Sequence, residues 1–221
     1  PDSKWLAYSK TDLYFNDEIF IQAADNSHEA VNVSMHPRHD AQPFWSADGS
    51  KLGFISDRNN NSADVWFVWL KKSDWEKTQQ DWDEFEKPKE EKKDKKGDKD
   101  SAKVKEVQID FPDIYKRLVQ VTSMPGDERN VVISADGETF YFTAPYSSGK
   151  GKNLDYSLYS IKWDGKDFES IIKGSDAYSA LLPDKDVKNI YFFKGEGKLS
   201  KVDLDKKKEE GLSYAAKMQI D

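Results

Sequence analysis

Ala47-Asp48-Gly49-Ser50-Lys51-Leu52-Gly53-Phe54-Ile55-Ser56 is the stretch that decides the fold. Asp-Gly supplies tight-turn chemistry, because Gly accepts a positive φ without penalty and Asp bonds back to its own backbone. The apolar run behind it reads as a strand. The same grammar stands at Pro1-Asp2-Ser3-Lys4-Trp5-Leu6-Ala7-Tyr8-Ser9, with one residue of slack, and at Ala135-Asp136-Gly137-Glu138-Thr139-Phe140-Tyr141-Phe142-Thr143. A degenerate copy is Pro183-Asp184-Lys185-Asp186-Val187-Lys188-Asn189-Ile190-Tyr191-Phe192-Phe193. The marker aspartates at 2, 48, 136 and 184 are separated by 46, 88 and 48 residues.

Each copy continues into a second aromatic and β-branched run: Glu18-Ile19-Phe20-Ile21, Val65-Trp66-Phe67-Val68, Ser157-Leu158-Tyr159-Ser160-Ile161 and Lys198-Leu199-Ser200-Lys201-Val202. A short closing strand follows, as in Val31-Asn32-Val33-Ser34 and Leu118-Val119-Gln120-Val121-Thr122. Three to four strands every ~45 residues is the cadence of a β-propeller blade. An ordinary sandwich or barrel also recurs in turn signals, but it does not repeat one marker motif at a constant long interval. The expectation is therefore an all-β chain of about four blades, an open or partial β-propeller. Because the chain opens on Pro1-Asp2-Ser3 just before a strand, it also reads as part of a longer polypeptide.

Composition narrows the class of function. The 221 residues carry a net charge of −7, no cysteine, and 7 Trp, 10 Tyr and 12 Phe. Residues 71–105 hold 12 Lys against 11 acidic residues, so the remaining 22 basic and 30 acidic residues leave the rest at −8. An acidic globular part argues against a nucleic-acid partner, since phosphate binding needs a basic surface. No apolar run approaches the ~20 residues that would insert in a membrane. Without cysteine there are no disulfides, thiolate nucleophiles or zinc-thiolate sites.

The long middle interval contains the charged insertion. Ser73 followed by Glu76 fits a capping box, and Trp75, Thr78, Trp82 and Phe85 recur at helical spacing, predicting an amphipathic helix. From 86 to 103 nearly every residue is charged with mixed sign, which reads as a solvated tether. Two outcomes stay open: the Trp stripe docks on a neighbouring blade or domain, or the excursion packs locally.

No residue earns a catalytic, cofactor-binding or metal-binding assignment. His36 and His39 flank Pro37, which breaks any helix that could put them on one face. Ser46 and Ser134 recur because the turn recurs, and no Gly-x-Ser-x-Gly elbow is present. Ser147-Ser148-Gly149-Lys150-Gly151-Lys152 lacks the order of a phosphate loop and reads as a hairpin tip. The aromatics sit mostly in repeat strands, where packing between blades accounts for them.

Phe44-Trp45-Ser46-Ala47-Asp48-Gly49-Ser50-Lys51-Leu52-Gly53-Phe54-Ile55-Ser56-Asp57-Arg58, with Asp64-Val65-Trp66 after it, resembles the repeat shared by tricorn-type proteases, the Tol-system periplasmic protein and prolyl oligopeptidase propellers. Val107-Gln108-Ile109-Asp110-Phe111-Pro112-Asp113-Ile114-Tyr115-Lys116-Arg117-Leu118 resembles the junction inside the propeller region of tricorn-like serine proteases. Leu212-Ser213-Tyr214-Ala215-Ala216-Lys217-Met218-Gln219-Ile220-Asp221 is similar to the segment leading into that family's core domain. The resemblance implies blades over 1–70 and 107–211, an insertion over 71–106, and a linker start over 212–221. It also implies a non-catalytic part of a peptidase, with no cofactor, whose Ser and His lie beyond this chain. The implied partners are peptide or unfolded-protein substrates, downstream PDZ and protease core domains, and a second copy in a homo-oligomer. The implied compartment is the bacterial periplasm, with the cytoplasm as the other option. The rival is a free-standing Tol-type propeller that docks protein partners; a second rival is the propeller of a prolyl-oligopeptidase-like enzyme.

Overall fold

The computed structural model describes residues 2–59, 61–77, 81–82, 106–146, 155–175, 180–194 and 197–213. Their strands form four antiparallel sheets in chain order. The first holds β1 (Trp5–Thr11), β2 (Asp17–Ala23) and β3 (Val31–Asn32); the second β4 (Asp40–Trp45), β5 (Lys51–Ser56), β6 (Asp64–Trp69) and β7 (Leu118–Gln120). The third holds β8 (Arg129–Ile133), β9 (Thr139–Tyr146), β10 (Asp155–Lys162) and β11 (Glu169–Ser175); the fourth β12 (Leu182–Pro183), β13 (Asn189–Lys194), β14 (Lys198–Asp203) and β15 (Lys208–Gly211). Every sheet is a simple meander.

The sheets pack in series. Ile19, Ile21 and Val33 of the first meet Leu52, Phe54 and Val68 of the second. The other face of the second sheet, with Ile55, Val65, Phe67 and Trp69, meets Phe140, Phe142, Tyr159 and Ile161 of the third. Val132, Leu158 and Ile171 of the third then meet Ile190, Phe192 and Val202 of the fourth. A sandwich has one seam between two sheets. Here three successive seams join four sheets, and strands apolar on both faces follow from that, as β5 shows by being buried throughout. The chain is a β-propeller array, as the repeat predicts.

The repeated turn has one construction. Ser46 N–H bonds Lys51 O at 3.0 Å and Gly49 N–H bonds Ser46 O at 3.1 Å; Ser134, Thr139 and Gly137 repeat this at 2.8 and 3.0 Å. In the fourth sheet the same bonds run from Asp184 to Asn189 O and from Val187 to Asp184 O. Asp184 therefore stands where Ser46 and Ser134 stand, and the true partner of Asp48 and Asp136 is Asp186, two residues beyond the marker read from sequence. The left-handed position falls on Ser3 (φ 61°), Gly49 (71°), Gly137 (79°) and Val187 (51°). A β-branched Val there is strained, so the fourth turn lost its Gly without losing its shape. The same correspondence aligns the first copy with the second without slack.

The insertion leaves the second sheet after β6 and returns as β7, so one blade spans both sides of it. Among the described residues of the insertion, the first helical turn is α1 (Lys72–Trp75), which begins at Lys71 without a side-chain cap of its own, and residues 81–82 are helical as well. The predicted capping box at Ser73 is not formed, because Asp110 Oδ2, from the returning segment, accepts the Lys72 N–H at 2.8 Å. Thr78 and Phe85 lie outside the described residues.

Candidate functional site

The sequence candidates are placed first. Ser46 Oγ accepts the Lys51 N–H at 2.9 Å and donates to Lys51 O at 3.1 Å; Ser134 Oγ donates to Asp136 Oδ1 and accepts the Thr139 N–H. Both hydroxyls are spent inside the turn. His36 donates its main-chain N–H to Glu18, while His39 Nδ1 lies 3.4 Å from Asp17, so the two rings do not share a site. Among the described residues no three His, Cys, Asp or Glu side chains gather as metal ligands. Residues 147–152 fall outside the described residues.

Three arrangements were not legible from sequence. The first is the returning segment of the insertion. Val107 is buried against Gly49 and donates its N–H to Asp2 Oδ2 at 2.8 Å, while Lys4 reaches Glu106 at 2.5 Å. Phe111 stacks on His28 at 4.2 Å and packs on Trp5 at 5.4 Å. The buried Arg117 guanidinium, at the end of the single 3-10 turn Ile114–Arg117, donates to Trp69 O at 2.9 Å, Leu70 O and Pro112 O at 3.2 Å, and Asp110 O. Five N–H groups in a rigid fork suit this task, and a lysine could not reach four carbonyls at once. The segment bolts the departing end of β6 to the first sheet.

The second is the seam between the second and third sheets at that same end. Lys51 is buried with its ammonium 4.3 Å from the Trp69 ring and 5.9 Å from Phe67 and Trp163. Burial pushes its pKa down, opposed by the carboxylates of Asp48, Glu138, Asp74 and Asp136. Trp82 of the insertion stacks on Trp69 at 5.2 Å and meets Trp163 at 5.5 Å, with Lys77 4.1 Å from its ring. Since Trp163 follows β10, the insertion reaches the neighbouring blade through Trp82, while Trp75 is 42% exposed.

The third lies at the opposite end of the sheets. In the first sheet the buried Glu18 accepts from Ser34 Oγ at 2.6 Å and from His36 N–H at 3.0 Å. The second sheet repeats the arrangement with Asp64 and Thr122, whose Oγ1 takes the Val65 N–H at 2.8 Å. Here a second carboxyl, Glu128, is buried beside the first. Gln120 Nε2 serves Asp64 Oδ2 at 2.9 Å, but among the described residues no donor stands in good hydrogen-bond geometry to Asp64 Oδ1 or to either Glu128 oxygen. Burial first, and the neighbouring Asp64 charge second, push the Glu128 pKa up to about 8. Asp64 is also raised, chiefly by burial.

Clefts flank Phe168. One of about 570 Å³ between the third and fourth sheets is lined by Tyr141, Ser160, Lys162, Phe168, Glu169 and Lys207. Another of about 400 Å³ lies on the other side of Phe168, against 121–124. Phe168 stacks on Tyr159 at 5.3 Å and is half exposed, an apolar platform between two polar-rimmed hollows. Hollows of this volume fall in the range of ordinary ligand sites.

No family model matches the chain, and no curated protein matches its sequence. Its fold is similar to that of solved propellers. The tricorn protease matches over 95% of this chain and 21% of its own, with TM-score 0.64 and 16% identity. TolB from Acinetobacter baumannii matches over 95% of this chain and 40% of its own, with TM-score 0.59 and 13% identity. A TolB from Agrobacterium tumefaciens matches over 96% and 61%, with TM-score 0.64 and 13% identity. The chain thus spans less than two thirds of each of these proteins. Among its described residues no helix is long and apolar enough to cross a membrane.

Proposed function

We propose that this chain is the non-catalytic propeller module of a tricorn-like serine peptidase, binding or admitting peptide for a protease core outside it. The observation that supports this reading is the segment from Val107 to Arg117. The residues that carry its resemblance to the tricorn-like junction are the ones that build the clamp: Asp110 caps α1, Phe111 covers Trp5, and Arg117 gathers four carbonyls. A free-standing binding propeller has no need of a charged excursion held rigidly at both ends. In this reading peptide lies in the clefts flanking Phe168, the chain works by geometry alone, and the compartment is the periplasm.

The test is to express the polypeptide with the residues that follow Asp221 in its parent reading frame. A serine-reactive fluorophosphonate probe should label the extended protein outside residues 1–221, and peptide hydrolysis should require that label site. Labelling within 1–221, or an extended protein that never reacts and hydrolyses no peptide, overturns the proposal in favour of a Tol-type docking module.

A further inference from the structure

One buried polar position recurs in the first three sheets. Ile19, Val65 and Leu158 pair with Ser9, Ile55 and Thr143 at equivalent places, and the residues just before them are Glu18, Asp64 and Ser157. In the first sheet Glu18 is a carboxylate with donors of its own, the Ser34 hydroxyl at 2.6 Å and the His36 N–H at 3.0 Å. In the third sheet the Ser157 hydroxyl accepts the Gly174 N–H at 3.0 Å, and no charge is involved.

The second sheet departs from both. Thr122 stands where Ser34 stands, since the Ile19 and Val65 N–H groups bond those two hydroxyls at 2.9 and 2.8 Å. Asp64 is one methylene shorter than Glu18 and takes the Gln120 amide, and a second buried carboxyl, Glu128, comes in against it from the crossing to the third sheet. Asp64 Oδ1 and both Glu128 oxygens are shut off from solvent and, among the described residues, have no donor in good geometry. The cations of the neighbouring elements are committed elsewhere. Arg58 of the β5–β6 loop bonds both Asp40 oxygens at 3.1 and 2.9 Å, and Arg129 at the start of β8 lies 3.6 Å from Asp127 and 5.9 Å from the Tyr156 ring. Two like charges cannot both be held in such a place, whereas two carboxyls with one proton between them can.

Between Thr122 and Glu128 the chain crosses from the second sheet to the third over the surface, with Ser123, Pro125 and Gly126 exposed. The far end of the crossing meets the entry of β6 through the Glu128 N–H on Ala63 O at 2.7 Å and the Ala63 N–H on Asp127 Oδ1 at 3.2 Å. We propose that Asp64 and Glu128 form a proton-operated latch: one proton shared by the two carboxyls keeps the 122–128 crossing shut on β6, and its loss swings Glu128 into water and opens the crossing while the sheets stay folded. Swinging out hydrates the charge at the expense of the two Ala63 bonds; unfolding would hydrate it at the expense of three apolar seams. Thr122, Ser123 and Met124 wall the cleft of about 400 Å³ beside Phe168, so the latch sets the shape of that cleft whatever occupies it. The inference rests on the fold and stands apart from the peptidase reading.

Shut, Glu128 keeps its proton up to about pH 8; in water it gives it up near the ordinary 4.5. The latch is therefore tightest below pH 4.5, opening becomes about tenfold more favourable per pH unit from there to pH 8, and the trend levels above. The experiment is amide hydrogen exchange on the 221-residue chain from pH ~5 to ~9, each rate divided by the intrinsic rate at that pH. Protection of the Ala63 and Glu128 amides should follow this profile and should be indifferent to urea below the unfolding transition, which marks a local opening. Glu128→Gln, with the same shape and no charge, should flatten the profile and leave these amides about a thousandfold better protected than in the native chain at pH ~8. Asp64→Asn, which removes the like charge, should bring the levelling point to lower pH. A flat native profile, a slope that survives in Glu128→Gln, or Ala63 and Glu128 amides that exchange only with the urea-sensitive core overturns the proposal.

Discussion

Glu128→Gln should stabilise the protein at neutral pH, and the gain should vanish in acid. Glu128 is fully buried, its main-chain N–H bonds Ala63 O at 2.7 Å, and its carboxyl faces Asp64 with no donor of its own. Its pKa is about 8 in the fold against an ordinary 4.5. Between those values the native state keeps a proton that the unfolded chain has released, so the native state binds more protons and stability falls as pH rises. The slope is ~1.4 kcal/mol per pH unit, which amounts to ~3 kcal/mol lost by pH 7 and ~5 kcal/mol above pH 8. Glutamine keeps the shape, carries no charge at any pH, and can donate an N–H to Asp64. Urea unfolding followed by tryptophan fluorescence should give equal stabilities near pH 4.5 and a variant more stable by ~3 kcal/mol at pH 7. A difference that does not change with pH, or a variant weaker than the native chain at pH 8, would show that Glu128 does not hold its proton in the fold.

Other consequences concern packing and the clefts. Gly53 has an ordinary extended φ, but an added Cβ would overlap the Phe44 ring, so Gly53→Ala should cost ~1 to 3 kcal/mol in urea midpoint, largely recovered by adding Phe44→Leu. Arg117→Ala removes the guanidinium from four carbonyls, of which Leu70 O keeps the Asp110 N–H at 2.9 Å, and should cost ~3 kcal/mol, with Arg117→Lys recovering only part, as measured by the same unfolding. Trp82→Ala removes the stack on Trp69 and Trp163, costing ~1 kcal/mol and moving the emission of those two indoles to longer wavelength as water reaches them. Under the peptide-binding reading, Phe168→Ala should weaken binding of a fluorescent unfolded peptide about tenfold by anisotropy at temperatures and urea concentrations where the variant stays fully folded, beside a loss of ~1 kcal/mol in stability from the stack on Tyr159.

The repeat at 2, 48 and 136 was enough to read a propeller, because turn chemistry and strand periodicity are local and each copy spells both out. The fourth copy was legible only to within two residues. Asp184 and Asp186 are chemically alike, and the bond from Asp184 N–H to Asn189 O is what tells them apart. The predicted Ser73 cap failed for a related reason: local sequence offered a cap, and Asp110, 38 residues away, took the Lys72 N–H first. The insertion's Trp stripe could be seen, but not that Trp82 would reach the next blade while Trp75 stays exposed.

What the sequence determined by itself is therefore the blade, its period and its turn, all set by residues within a few positions of one another. Only the tertiary structure decided the rest: the four carbonyls converging on Arg117, the buried carboxyls of Asp64 and Glu128, and the clefts beside Phe168. Each depends on groups distant in the chain meeting in space, and their energies arise from desolvation and contact that exist only once the sheets are stacked.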